Sequence, residues 1–307
     1  MNPAPHHTSE TQTEIPRMVW VFWLQGFDKA PPLVDLCVKS WQRQNPGWTV
    51  NLLSESNIRE FLDPAFCDEL LATDLPFKKK ANIIRLALVA RHGGVWVDAD
   101  CICVRPLDDW IDDAARSGFF AFRFIEEDRW FSDQTVPFWR RITGKTKDRV
   151  MANWFLAGTP GNHIATTFVD LHYKLLKTAS AKRRSATKTI AKAIFRRMRR
   201  NAYLGSLASS VRIIGILGDY PYFIFHYHFA KQLRTTPAFR DAWQAIPIHD
   251  ARTALQFSRS LGLPVDDHFK ASMRGTQTPV FKLHSRHAAP KQQGAITQYD
   301  WLKSTFD

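Results

Sequence analysis

Residues 78 to 98, KKKANIIRLALVARHGGVWVD, leave the chain few ways to fold, because a helix and a buried strand meet there with only two glycines between them. Ile84 and Leu88 fall on one helical stripe, while Asn82 and Arg85 lie one turn apart on the other face. Gly93-Gly94 supplies a left-handed stop that residues with a Cβ resist. GVWVD then has the unbroken apolar character of a strand covered on both faces. Such a strand needs neighbours in a sheet and helices above and below it.

The preceding segments supply them. MVWVFWL (18 to 24) is a fully apolar strand, and Gly26 and Asp28 begin a loop. Pro31-Pro32 opens a helix with Leu33, Cys37 and Trp41 at helical spacing, stopped by Asn45-Pro46-Gly47. TVNLL (49 to 53) is a second strand, and Ser54 is placed to cap the helix that follows. Strand and helix alternating in this order imply an α/β fold with a mostly parallel central sheet flanked by helices. NWFLAG (153 to 158) reads as a further strand, PGN (160 to 162) leads into a helix through about Leu176, and PVFKLHSRH (279 to 287) is a late strand with polar residues at its end. Residues 1 to 14 read as a disordered tail and 15 to 307 as a single domain. A basic helical insertion interrupts it at about 178 to 202.

The end of GVWVD carries the chemistry. Side chains alternate along a strand, so Asp98 and Asp100 face the same way in an apolar setting. Like charges that close raise each other's proton affinity unless something positive lies between them, so the pair asks for a cation. Mn²⁺ or Mg²⁺, which prefer carboxylate oxygens and often complete their shell with substrate phosphates, suits the request. A D-x-D tripeptide alone is equally consistent with solvated acids at a strand end. Arg85, on the helix packed before the strand, adds a guanidinium able to hold a carboxylate or phosphate. Trp20 and Trp23 lie along the same edge and offer rings for stacking a base. Asn153, with Trp154, falls in the strand expected to face a substrate, although packing is the commoner role for both.

Lys and Arg outnumber Asp and Glu by 42 to 29, a net charge of +13, which favours an anionic partner without choosing among nucleic acid, lipid and phosphorylated substrate. The basic run Lys182 to Arg200 suits contact with anionic membrane headgroups. Cys37, Cys67, Cys101 and Cys103 show neither a C-x-x-C pair nor zinc spacing and read as buried thiols. The N-terminus lacks a signal-peptide pattern, which gives a cytoplasmic expectation, with the inner face of the membrane as a place of work.

IPRMVWVFWLQG, SWQRQNPGWTV and ANIIRLALVARHGGVWVDADC, in that order, resemble the bacterial capsular-polysaccharide synthesis proteins, a family of D-x-D sugar-nucleotide glycosyltransferases. That family is similar in turn to the initiating outer-chain mannosyltransferases of yeast and to glucosylating toxins. The likeness spans about residues 15 to 175. It implies a GT-A fold, Rossmann-like, and metal-dependent transfer, usually retaining, from a nucleoside-diphosphate sugar to a saccharide or lipid-linked acceptor in capsular or surface polysaccharide synthesis. It implies no nucleic-acid partner. By the same resemblance Asp98 and Asp100 contact metal and donor, Arg85 is the donor-binding arginine, and Trp23 packs on the base. Relatives commonly have Ser-Asp where this chain has Ala81-Asn82, so Asn82 takes the place of a donor-sugar contact. Transferases of this kind often need a third metal ligand from late in the chain, and His284, with Ser285 and His287 behind it, is the candidate.

Two readings of other classes compete. Phosphatases of the haloacid dehalogenase type also place D-x-D after a buried strand, but near the chain start and before a small turn rather than Cys101-Ile102-Cys103. A non-catalytic polyanion-binding protein rests on the net charge alone.

Overall fold

The computed structural model describes residues 14–306 apart from 74, 127, 129–136, 144–149, 181–187, 200, 211, 215–223, 275–276 and 290–293. Residues 1–13 of the expected tail and the start of the basic run therefore lie outside the described residues. Strands β1 (Met18–Phe22), β2 (Thr49–Leu53) and β3 (Gly94–Asp98) alternate with helices α1 (Pro32–Gln44), α2 (Pro64–Leu71) and α3 (Phe77–His92). β4 (Cys101–Cys103), β5 (Phe119–Arg123), β6 (Met151–Gly158) and β7 (Val280–Lys282) follow.

The main sheet has the order β2-β1-β3-β6-β5. β1 is parallel to both β2 and β3, whereas β6 is antiparallel to both β3 and β5. Four strands therefore share one direction and β6 runs against them. The fold is mixed α/β with a mostly parallel sheet, as the alternation of elements required. β2 and β3 flank β1 on opposite sides, and sheets with such a switch in strand order bind ligands in the crevice beyond their carboxyl ends, here those of β1 and β3.

Gly93 and Gly94 make the α3–β3 junction possible. Both have positive φ, 66° and 82°, and a Cβ on Gly94 would stand 2.6 Å from the Met18 carbonyl oxygen. The junction is therefore closed to any larger residue.

Two boundaries differ from the sequence reading. β1 stops at Phe22 rather than Leu24, because Gly26 folds back to donate to the Trp23 carbonyl at 3.0 Å and turns the chain out of the sheet. Ser54 caps no α-helix: its hydroxyl and the Asn57 side chain close a local turn, and the Asp63 carboxylate caps α2 by accepting from Phe66 N–H at 2.9 Å. Farther along, one helix runs from His163 to Ser180 and another from Lys188 to Met198.

The core has two parts, and α1 divides them. Val34, Val38 and Trp41 face the main sheet, while Leu33, Leu36 and Cys37 join Ile102, Phe257, Phe269, Phe281 and Leu302 around the small β4–β7 sheet. All four cysteines are buried free thiols. Burial pushes the Cys103 thiol up to about 12. His226 and His228 lie buried among aromatics on the helix Ile224–Thr235. Burial holds His228 down at about 4, and its Nε2 meets the Ser209 carbonyl oxygen at 2.6 Å.

Candidate active site

β3 delivers Asp98 to the carboxyl end of the sheet in register with Phe22 of β1, and Trp23 follows Phe22 where that strand ends. Asp100 follows in the turn before β4. Asp98 is oriented from three directions. Arg85 of α3 contacts its Oδ1 at 3.1 Å, the Trp96 indole N–H donates to the same oxygen at 3.1 Å, and the Lys282 ammonium lies 2.8 Å from Oδ2. The same ammonium pairs with Asp100 Oδ1, and His284 Nδ1 lies 3.3 Å from Asp100 Oδ2.

Lys282 owes its place to strand pairing. β4 and β7 are antiparallel, with Cys101 opposite Lys282, Ile102 opposite Phe281 and Cys103 opposite Val280. Cross-strand partners share a face, so Lys282 leaves the sheet on the side of Cys101, Cys103 and Val280, toward the apolar core. A lysine there must reach an acid, and Asp98 and Asp100 are the acids it reaches. Burial favours its neutral form, but Asp100 and Asp98 outweigh burial and hold its pKa above the ordinary lysine value. Burial likewise raises the Asp100 carboxyl, and the Lys282 charge with the His284 and Lys282 hydrogen bonds brings it down to about 2.

Arg85 is 5% exposed and does not project freely into the crevice. Besides Asp98 it donates to the Asn153 carbonyl and, at 3.3 Å, to that of Ala81, and it lies 5.3 Å from the centre of the Trp96 ring. Asn153 of β6 closes the row by donating to Asn82 Oδ1 at 3.1 Å. Asn82, Asn153, Arg85, Asp98, Lys282, Asp100 and His284 thus form one continuous polar chain across α3, β6, β3 and β7.

Trp23 is half-buried, and its indole N–H has no hydrogen-bond partner among the described residues. Trp20 is not brought to this group. It is 1% exposed, donates its indole N–H to the Gly93 carbonyl at 2.8 Å and packs against Phe61 and His92. It belongs to the core: it shares a face with Phe22 but lies two residues earlier on β1, opposite Trp96, where Phe61 and His92 enclose it. Trp154 is buried, stacked on Phe122.

The residues also test the expected Mn²⁺ or Mg²⁺. Every carboxylate oxygen of Asp98 and Asp100 already has a protein nitrogen against it, and His284 leans on Asp100 instead of standing apart as a third ligand. Among the described residues no group of three His, Cys, Asp or Glu side chains is arranged to hold a metal. As arranged, the cluster does not fit a divalent ion unless Lys282 withdraws. The sequence reading named every member of the cluster except Lys282. The signal was present in Val280-Phe281-Lys282-Leu283-His284, where Lys282 and His284 share a face of a strand otherwise apolar, but its partner strand lies far back in the chain.

Among the described residues no helix is long and apolar enough to cross a membrane. Residues 2–183 match the sequence profile of the family described as Capsular polysaccharide synthesis protein. The O-glycosyltransferase braB of Annulohypoxylon truncatum is 28% identical over 173 residues, covering 51% of this chain and 37% of that protein. The initiation-specific alpha-1,6-mannosyltransferase of Saccharomyces cerevisiae is 27% identical over 110 residues, covering 33% of this chain and 23% of its own. The chain thus spans less than half the length of these curated relatives. Mouse xyloside xylosyltransferase 1 aligns in structure with a TM-score of 0.41 at 8% identity, over 90% of this chain and 100% of that one. With more than half of its length matched by the profile, the chain belongs to the capsular polysaccharide synthesis protein family.

Proposed function

We propose that the chain is a glycosyltransferase of GT-A type that moves a sugar, with retention, from a nucleoside-diphosphate sugar to a saccharide or lipid-linked acceptor in surface polysaccharide synthesis. The observation that carries this reading is the joining of Asp98, Asp100 and Arg85 with Lys282 at the carboxyl ends of β1 and β3, where α/β sheets bind ligands. Family membership and the glycosyltransferase names of the relatives support it.

In the reaction the bond from the anomeric carbon to the diphosphate oxygen breaks, and its electron pair leaves with the nucleoside diphosphate. The acceptor hydroxyl oxygen bonds to the anomeric carbon, and its proton passes to the departing phosphate oxygen. The protein must place the acceptor against the anomeric carbon and stabilise negative charge on the leaving group. Asn82 and Asn153 present amide groups for sugar hydroxyls, and Trp23, half-buried, offers a ring face toward the base. Arg85 acts through Asp98, fixing the carboxylate that faces the donor.

The basic helix Lys188–Met198 exposes Ile194 beside Arg196 and Arg197, and the helix Phe138–Thr143 exposes Phe138 and Trp139. Apolar and cationic groups shown together suit peripheral contact with an anionic membrane bearing a lipid-linked acceptor.

The test is a panel of nucleotide sugars incubated with the purified chain in EDTA, Mg²⁺ or Mn²⁺, with released nucleoside diphosphate as the signal. One donor is expected to turn over, and Asp98→Asn and Asp100→Asn to reduce its turnover at least about 100-fold. Undiminished turnover in both variants would remove these acids from the reaction.

A further inference from the structure

We infer that Lys282 is a built-in cation of this site: its ammonium holds Asp98 and Asp100 together and meets the donor's diphosphate, so that no divalent ion is needed between the two acids. This rests on the transferase reading above for the identity of the ligand, but the geometry that carries it is independent of that reading.

Three features of the cluster agree. The first is position: Lys282 Nζ bridges Asp98 and Asp100, which is where the spacing of the two acids demands positive charge. The second is balance. Two carboxylates meet two permanent cations, Arg85 and Lys282, so the two acids are already compensated without a divalent ion between them. The third is capacity. An ammonium has three N–H donors, and the two aspartates occupy two of them. The third has no partner among the described residues, and on the transferase reading it suits a phosphate oxygen of the donor.

The lysine is also anchored. The Leu283 N–H donates to the Asp100 carbonyl at 2.8 Å, continuing the β4–β7 ladder past Lys282 and fixing the lysine against the acids. Chemically, the ammonium would stabilise the charge that grows on the diphosphate as the glycosidic bond breaks, with no proton lost from it. A lysine supplies a point charge without the fixed fork of an arginine, which suits a ligand oxygen that moves during bond cleavage.

Mn²⁺ titration of the full chain, followed by electron paramagnetic resonance, tests the inference without any substrate. Wild type is expected to bind no Mn²⁺ through Asp98 and Asp100 below millimolar concentration. Lys282→Met, which leaves the acids facing each other, should acquire a site at least tenfold tighter, lost again when Asp98→Asn is added. Micromolar binding by wild type that Asp98→Asn abolishes would overturn the inference, and this measurement needs no lysine variant to fold.

Donor turnover supplies the second arm. With the donor found in the nucleotide-sugar panel, wild type should keep its rate within about twofold between EDTA and Mn²⁺. Lys282→Met should lose at least 100-fold in kcat/KM, and Lys282→Arg should recover part of it. Strictly Mn²⁺-dependent turnover would overturn the built-in cation and leave the transferase reading standing. The expected Mn²⁺ titrations together with no turnover of any donor would uphold the cation and sink the transferase reading.

Discussion

Arg85 Nη2 and Asp98 Oδ1 lie 3.1 Å apart, an ion pair made by a helix and the strand that directly follows it. The pair fixes the carboxylate at the crevice while a second contact of the same guanidinium, to the Asn153 carbonyl, ties β6 to the site. Arg85→Ala should therefore lower stability by about 1 to 3 kcal/mol, because Asp98 keeps Lys282 and Trp96 while the Asn153 carbonyl loses its donor. Arg85→Lys should fold better yet lose at least tenfold in turnover, since a single nitrogen replaces the Nη1 and Nη2 that reach the Asn153 carbonyl and Asp98 from separate positions. Urea unfolding and donor turnover on the same preparations separate the two effects.

Stability should depend on pH at both ends of the scale through one cluster. Asp100 is held at about 2 in the folded chain against an ordinary 3.8, burial being outweighed by Lys282 and His284. A depressed carboxyl contributes stability that is complete above pH 3.8 and lost as pH falls toward 2, about 2 kcal/mol at 1.36 kcal/mol per unit. Lys282 acts in the opposite sense. Its raised pKa contributes stability present below pH 10.5 and lost as pH rises through the higher folded value. Urea unfolding across pH should show an acid limb flattened in Asp100→Asn and an alkaline limb flattened in Lys282→Met. The two limbs report one ion cluster and do not add.

Asn82 accepts from Asn153 Nδ2 at 3.1 Å, a contact that an aspartate could also accept. Asn82→Asp should preserve the row of side chains and change donor choice, shifting relative kcat/KM among nucleotide sugars by about tenfold. Asn82→Ala should leave the Asn153 amide without its acceptor and raise KM more than it lowers kcat. An identical donor ranking in all three proteins would take Asn82 out of sugar recognition.

The helix–strand junction gives a prediction about folding alone. Gly94 holds φ of 82°, and an added Cβ would stand 2.6 Å from a backbone oxygen. Gly94→Ala should destabilise by more than about 2 kcal/mol, through backbone strain and overpacking together. Thermal unfolding measures it directly.

For the membrane contact, flotation with vesicles containing anionic lipid is the measurement. Replacing Arg196 and Arg197 by Glu should reduce binding about 30-fold or more, taking about 1 kcal/mol for each basic residue near the surface. Equal binding by neutral vesicles would remove the electrostatic part of the proposal.

Much of the architecture is local and was legible without coordinates. Apolar runs set β1, β2 and β3, prolines and glycines set the ends of α1 and α3, and these elements are contiguous in sequence, so pattern alone orders them into a parallel sheet. Asp98, Asp100 and Arg85 were visible for the same reason, since a helix and the strand after it carry all three. Trp20 was misplaced because an apolar strand does not declare which of its aromatics faces core and which faces a crevice. Its ring is enclosed by Phe61 and His92, and His92 lies at the end of a later helix.

The sequence by itself placed two acids one residue apart at the end of a buried strand, where a positive charge would favour their ionised forms, because an apolar run and Coulomb repulsion are local. Only the tertiary structure decided what that charge is. The pairing of β4 with β7 joins segments that are remote in the chain, and its register puts Cys101 opposite Lys282. A shift of one residue would have turned the lysine to the other face of the sheet and left the aspartates to a different cation.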